Sequence, residues 1–85
     1  MNNDGFKVRV FDMEHGLVEY ENVQSVRIVS KDYNLLIMKD YLSILGEIIG
    51  NVNIKTADDD VLFDNIKAFY MNSNNVFNLM IKEDR

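Results

Sequence analysis

Apolar residues in this chain recur at every second position in short bursts, and each burst is closed by a polar cluster. Phe6, Val8 and Val10 alternate with Lys7 and Arg9, Val26 and Ile28 flank Arg27, and Val52 and Ile54 flank Asn53. A period of two puts apolar side chains on one face of an extended strand and polar ones on the other. The chain is therefore predicted to be built from half-buried strands.

The punctuation between bursts agrees with that reading. Asp12 to Gly16 reads as a turn, Leu17 to Tyr20 and Val23 to Val29 as two further strands, and Glu21-Asn22 as a corner or bulge between them. Lys31 to Asn34 is a polar turn before Leu35 to Met38, whose unbroken apolarity predicts a strand buried on both sides. Tyr41 to Ile49 also fits a helical stripe through Tyr41, Leu45 and Ile48. Gly46 and Gly50 favour extended structure there, because glycine costs about 1 kcal/mol relative to alanine inside a helix.

Val52 to Phe63 around a charged tip at Thr56 to Asp60 predicts one hairpin. Phe69 to Ile81 around Asn72 to Asn75 predicts another. Short strands at close spacing predict an all-β fold, a small antiparallel β-sandwich occupying residues 1–85 as a single domain. A chain of 85 residues buries only about 60% of its unfolded surface, so a permanent partner would add to a marginal stability.

Composition narrows the function. The absence of cysteine excludes a disulfide framework, a thiolate zinc site and a cysteine nucleophile. A net charge of -5 opposes nucleic acid as a partner, since that affinity needs clustered Lys and Arg. No apolar run approaches a membrane span of about 18 residues, so direct membrane insertion is not expected and a cytoplasmic location is the default.

Candidate chemistry is sparse. Asp58-Asp59-Asp60 offers carboxylates for calcium or magnesium, yet adjacent strand residues point to opposite faces and no EF-hand spacing is present. A solvated hairpin tip is the expectation. His15 is the single histidine and lacks a triad partner, which leaves it a turn residue. Glu14, Glu19 and Glu21 are better explained as exposed strand and turn positions than as a catalytic acid and base, and no glycine cluster forms a phosphate loop. Phe69, Tyr70, Met71 and Phe77 read as core or interface packing, not as a platform for bases. No metal, cofactor or catalytic residue is expected.

The order of features from Phe6 to Lys55 resembles the N-terminal β-sandwich domain of the ε subunit of bacterial F-type ATP synthases. Phe6-Lys7-Val8-Arg9-Val10 is similar to that family's opening strand, and Gly16 to Val26 resembles its G-V-V-Y-E-G-E-V-D-S-V without a gap. Ser30 to Met38 falls on T-E-D-G-E-F-G-I-L, Asn51 to Lys55 resembles G-V-V-R-I-R, and Asn74 to Leu79 is similar to P-N-K-V-T-V-L. Two departures stand out. The family turn P-G-H-A-P falls on Lys39-Asp40-Tyr41-Leu42-Ser43, and its S-G-G has become Asn65-Ile66-Lys67.

The resemblance implies two packed antiparallel sheets and a non-catalytic subunit of the rotor's central stalk. In that family the domain grips the γ subunit and docks on the membrane c-ring, so that torque passes between them, while α and β carry the ATP chemistry. It implies a partner interface at Lys31, Asp32 and Tyr33, on the segment facing the ring, and at Lys39, Asp40, Tyr41, Leu42 and Ser43. Tyr33 and Tyr41 are its expected anchors, with closure of the sandwich end as the competing role for both. Tyr41→Asp is expected to release the subunit while leaving the isolated fold intact.

The expected partners are γ, and through it α and β, with the complex peripheral on the inner face of the membrane. A rewritten ring-facing turn is compatible with a load other than the c-ring and proton transport, such as a surface motility machine. A conventional c-ring is the alternative. The family's C-terminal helical hairpin, which brakes ATP hydrolysis, is not expected in this chain. A free-standing β-sandwich module that binds a ligand or a protein is the rival expectation from a different functional class.

Overall fold

The computed structural model describes residues 5–84. Among these residues seven strands follow one another: β1 (Lys7–Asp12), β2 (Gly16–Tyr20), β3 (Val23–Ser30), β4 (Asn34–Ile37), β5 (Ile44–Thr56), β6 (Asp60–Ser73) and β7 (Val76–Asp84). They form one continuous sheet in the order β2-β1-β7-β6-β5-β3-β4. The protein is all-β.

A single sheet makes a sandwich because its two longest strands are creased. The ladder between β5 and β6 shifts register between Gly50 and Val52, close to Asn65, which has φ 57°, and β6 shifts against β7 between Lys67 and Ala68. Bulges of this kind bend a strand and sharpen its twist. The first half of β5 therefore pairs with the second half of β6, beside β7, β1 and β2, while its second half pairs with β3, which carries β4. The two halves pack face to face over one core containing Val8, Val10, Phe77, Leu79 and Ile48 from the first and Val26, Ile28, Ile37, Val52 and Ile54 from the second. Each such fully buried side chain contributes about 1.5–3 kcal/mol relative to exposure.

Several expectations need correction. The sandwich is not wholly antiparallel, because β1 runs parallel to β7 with Val8 beside Phe77 and Val10 beside Leu79. No hairpin joins these two strands, so nothing local sets their relative direction. β4 is an edge strand, not one buried on both sides. Ile37 is fully buried, but Asn34 and Leu36 face outward from the end of the sheet. The two hairpins expected around Phe63 and Phe69 share one strand, since β6 runs through the Asn65 kink without a break. The helical alternative for Tyr41 to Ile49 gives way to β5, which begins at Ile44.

Asparagine is used at the tightest backbone positions. The non-glycine residues with positive φ among those described are Asn22, Asp40, Asn65, Asn74 and Asn75. Asn and Asp tolerate the left-handed region better than other side chains. Asn74 and Asn75 form the two-residue turn between β6 and β7, where positive φ at both positions matches the twist of the flanking strands.

Candidate functional site

The sequence-predicted interface residues divide into two clusters at opposite ends of β4. At the first, the Ser30 hydroxyl accepts hydrogen bonds from the Asp32 and Tyr33 amides, each 3.0 Å, which winds the Lys31-Asp32-Tyr33 turn tightly. Lys31 and Asp32 are exposed. Tyr33 instead folds back, and its hydroxyl donates to the Glu47 carbonyl at 2.6 Å and lies 3.3 Å from the Tyr70 hydroxyl. With the Tyr33 proton committed to Glu47, Tyr70 is the donor between the two phenols. Burial, and then this bond, push the Tyr70 phenol up to about 12.

The second cluster is the Lys39-to-Ser43 segment, which crosses from β4 to β5. The Tyr41 amide donates to the Met38 carbonyl at 3.1 Å, closing a β-turn whose third residue, Asp40, has φ 66°. The turn is clasped to the β6–β7 hairpin: the Asp40 amide donates to Asn75 Oδ1 at 2.6 Å, and Asn75 Nδ2 donates to Asp40 Oδ1 at 3.0 Å. Asn72, buried, donates through Nδ2 to the Leu42 carbonyl at 3.0 Å, while its Oδ1 has no hydrogen-bond partner. Lys39, Asp40, Leu42 and Ser43 are exposed, and Tyr41 is half-buried against the core. Because Tyr41 packs on the core, an aspartate there would be expected to disturb the fold as well as any interface, and Leu42, 65% exposed, is the cleaner interface probe.

A third surface was only partly foreseen from the sequence, through Phe69 and Met71 as core or interface residues. On the outer face of the β2-β1-β7-β6-β5 half, Leu17 lies beside Phe11, Phe11 beside Met80, and Met80 beside Phe69. The adjacent row continues with Met71 and Leu45. All six side chains are exposed. Phe11, Leu17, Met71 and Met80 help to line an open groove of about 380 Å³. Ion pairs rim this face: Arg9 Nε lies 3.1 Å from Glu19 Oε2, and Lys82 Nζ lies 3.4 Å from Glu47 Oε2 and 4.4 Å from the centre of the Phe69 ring. The signal in the sequence was Phe69-Tyr70-Met71 and Leu79-Met80-Ile81, runs apolar on both faces of a strand. Tyr70, Leu79 and Ile81 take the inner face, and Phe69, Met71 and Met80 the outer one.

The remaining candidates are turn and surface residues. Asp12 accepts hydrogen bonds from the His15 amide at 2.6 Å and the Glu14 amide at 2.8 Å, and its carboxylate lies 3.2 Å from the His15 ring. These contacts, led by the His15 amide, hold the Asp12 carboxyl below the usual range. Glu19 pairs with Arg9, and Glu21 lies 3.9 Å from Lys7. At the β5–β6 tip the Thr56 hydroxyl accepts from the Asp58 and Asp59 amides. Among the described residues no three His, Asp or Glu side chains are placed to hold a metal ion, and no helix is long and apolar enough to cross a membrane. Neither a protein-family model nor a curated protein matches the chain.

Proposed function

We propose that this chain is a non-catalytic, partner-binding subunit, and that its partner is the γ-like shaft of a rotary F-type or F-type-like ATPase. The observation that carries the partner-binding part is the outer apolar face from Leu17 to Leu45 on one half of the sandwich. Large contiguous apolar patches are rare on monomeric surfaces and mark sites that another surface covers. Its apolar centre, Met and Phe content and charged rim follow the usual anatomy of a protein interface. The resemblance of Phe6 to Lys55 to the ε subunit's sandwich domain supplies the identity of the partner. Torque transmission requires a stiff wedge, and two strand layers sharing one core suit that task.

The test is affinity purification of the tagged chain from its own cells. Recovery of α, β and γ homologues supports the reading, and the presence or absence of a c subunit separates a proton ring from another load. Two exposed-site variants locate the contact: Met80→Asp on the outer face and Leu42→Asp on the clasped turn. Release of γ by the first alone assigns the shaft to the face. Release by the second alone assigns it to the turn. A chain that stays monomeric and recovers no ATPase subunit points to the rival, a free-standing ligand-binding module. The feature favouring that rival is an open cleft of about 540 Å³ bordered by Lys7, Lys39, Asp40 and Asn75.

A further inference from the structure

The two edges of the sheet are unlike each other. At the β4 edge the inward residues are covered, with Ile37 fully buried and Leu35 packed on the core. At the β2 edge the cover is incomplete, for Tyr20 packs on the core but its neighbour two residues back does not. Val18 faces inward opposite Val10, yet Val10 is 3% exposed and Val18 is 40% exposed. Leu17, on the outer face of the same strand, is 49% exposed. Among the described residues β2 has β1 as its one neighbour, so one row of its backbone N–H and C=O groups is unpaired by the sheet. An added strand would satisfy that row and cover apolar side chains on both faces at once. Proline, which blunts many natural edges, is absent from the chain.

Charge selects the occupant. The segment from Asp12 to Asn22 carries Asp12, Glu14, Glu19 and Glu21 and neither Lys nor Arg, and β1 supplies one cation each beside Glu19 (Arg9) and Glu21 (Lys7), which leaves this end of the sheet acidic through Asp12, Glu14, Asp58 and Asp59. Just past the end of β2, Glu19 and Glu21 border an open cleft of about 370 Å³ with Asp58 and Asp59. A second copy of this chain would bring another net charge of -5 against this acidic end, which is unfavourable. We infer that β2 docks an extended segment of a protein partner, apolar at alternate positions and carrying Lys or Arg, by strand addition, with a basic side chain reaching the Glu19-Glu21-Asp58-Asp59 cleft. The inference deepens the partner-binding reading and rests on it only in requiring a protein partner.

The experiment titrates the isotopically labelled full chain with a capped peptide of alternating valine and lysine, and with its valine-glutamate counterpart, following backbone amide resonances. The lysine peptide should shift Gly16 to Tyr20 and Ala57 to Asp59 saturably and slow amide exchange in β2, while the glutamate peptide leaves them unchanged. Val18→Lys should weaken lysine-peptide binding about tenfold or more, and Val18→Ile should retain it. Circular dichroism checks that both variants are folded, and Leu17→Lys replaces the first if it is not. Equal response to both peptides, shifts centred on β4 or on Met80, or no saturable response overturns the inference. So does a homodimer in sedimentation equilibrium that Val18→Lys dissolves, because the second copy is then the occupant. The titration reads β2 and the purification reads partner identity, so either can fail alone.

Discussion

The Tyr70 hydroxyl occupies the space a side chain on Gly46 would need: a Cβ at Gly46 would lie 2.6 Å from Tyr70 Oη and 2.8 Å from Cζ. Tyr70 has little room to retreat. Its ring stacks on Phe77 with centroids 5.8 Å apart, and its hydroxyl is engaged with Tyr33. Gly46 is therefore a packing requirement, and through Tyr70 and Tyr33 it helps to fix the Lys31-Asp32-Tyr33 turn. Gly46→Ala should lower stability by about 1–3 kcal/mol in urea unfolding, as overpacking does. Adding Tyr70→Phe should recover part of that loss, because the nearest clash is with the hydroxyl. An unchanged midpoint in the single variant would contradict this account.

Gly50 is constrained by backbone instead of side chain. Its φ of 156° disfavours other residues, and a Cβ there would collide with the Val29 carbonyl oxygen across the β3–β5 ladder. Gly50→Ala should cost about 3 kcal/mol or more, combining strain with a clash that no rotamer relieves. Because Gly50 adjoins the crease in β5, amide exchange should rise on both sides of the bend. Loss confined to one half would argue against a shared core.

The Asp40–Asn75 clasp can be isolated by a pair of glycine variants. Both Asn74 and Asn75 have positive φ, so glycine suits the backbone at either position, but Asn75 also makes the two side-chain bonds to Asp40. Asn75→Gly should be less stable than Asn74→Gly by about 1–2 kcal/mol, the usual worth of one or two net hydrogen bonds. Thermal unfolding of the two proteins side by side measures the difference. Equal stabilities would mean that the clasp contributes nothing.

Two groups whose protonation changes on folding contribute to the pH dependence of stability. Tyr70 is raised from 10.0 to about 12, so the native state holds its proton more tightly than the unfolded chain. That stabilisation is complete below pH 10 and is lost as pH rises toward 12. Tyr70→Phe should flatten the alkaline limb of a stability-versus-pH curve. Asp12 is lowered from 3.8, so its contribution is present above that value and lost as pH falls through the lower folded value. Asp12→Ala should flatten the acid limb, and an acid limb identical to that of the unmodified chain would assign the acid sensitivity elsewhere.

Local alternation was sufficient to reveal strands, because whether a side chain at Val8, Ile28 or Ile54 points inward depends only on the period of its own segment. The sequence by itself thus determined an all-β chain, most of its turns, and the polar character of Asp58 to Asp60 and His15. Tertiary structure decided the rest. The parallel β1–β7 pair joins segments far apart in the chain, and no local rule sets that direction. The crease at Gly50 and Asn65 turned two expected hairpins into shared long strands. The Lys39-to-Ser43 segment was legible as a turn through the family resemblance, but its clasp to Asn75 was not, since it forms across the sandwich. The exposed face of Phe11, Phe69 and Met80 and the open edge at Val18 depend on which layer covers which strand. Burial on a sheet is a property of what lies opposite, and that partner is chosen only when the sheet folds over itself.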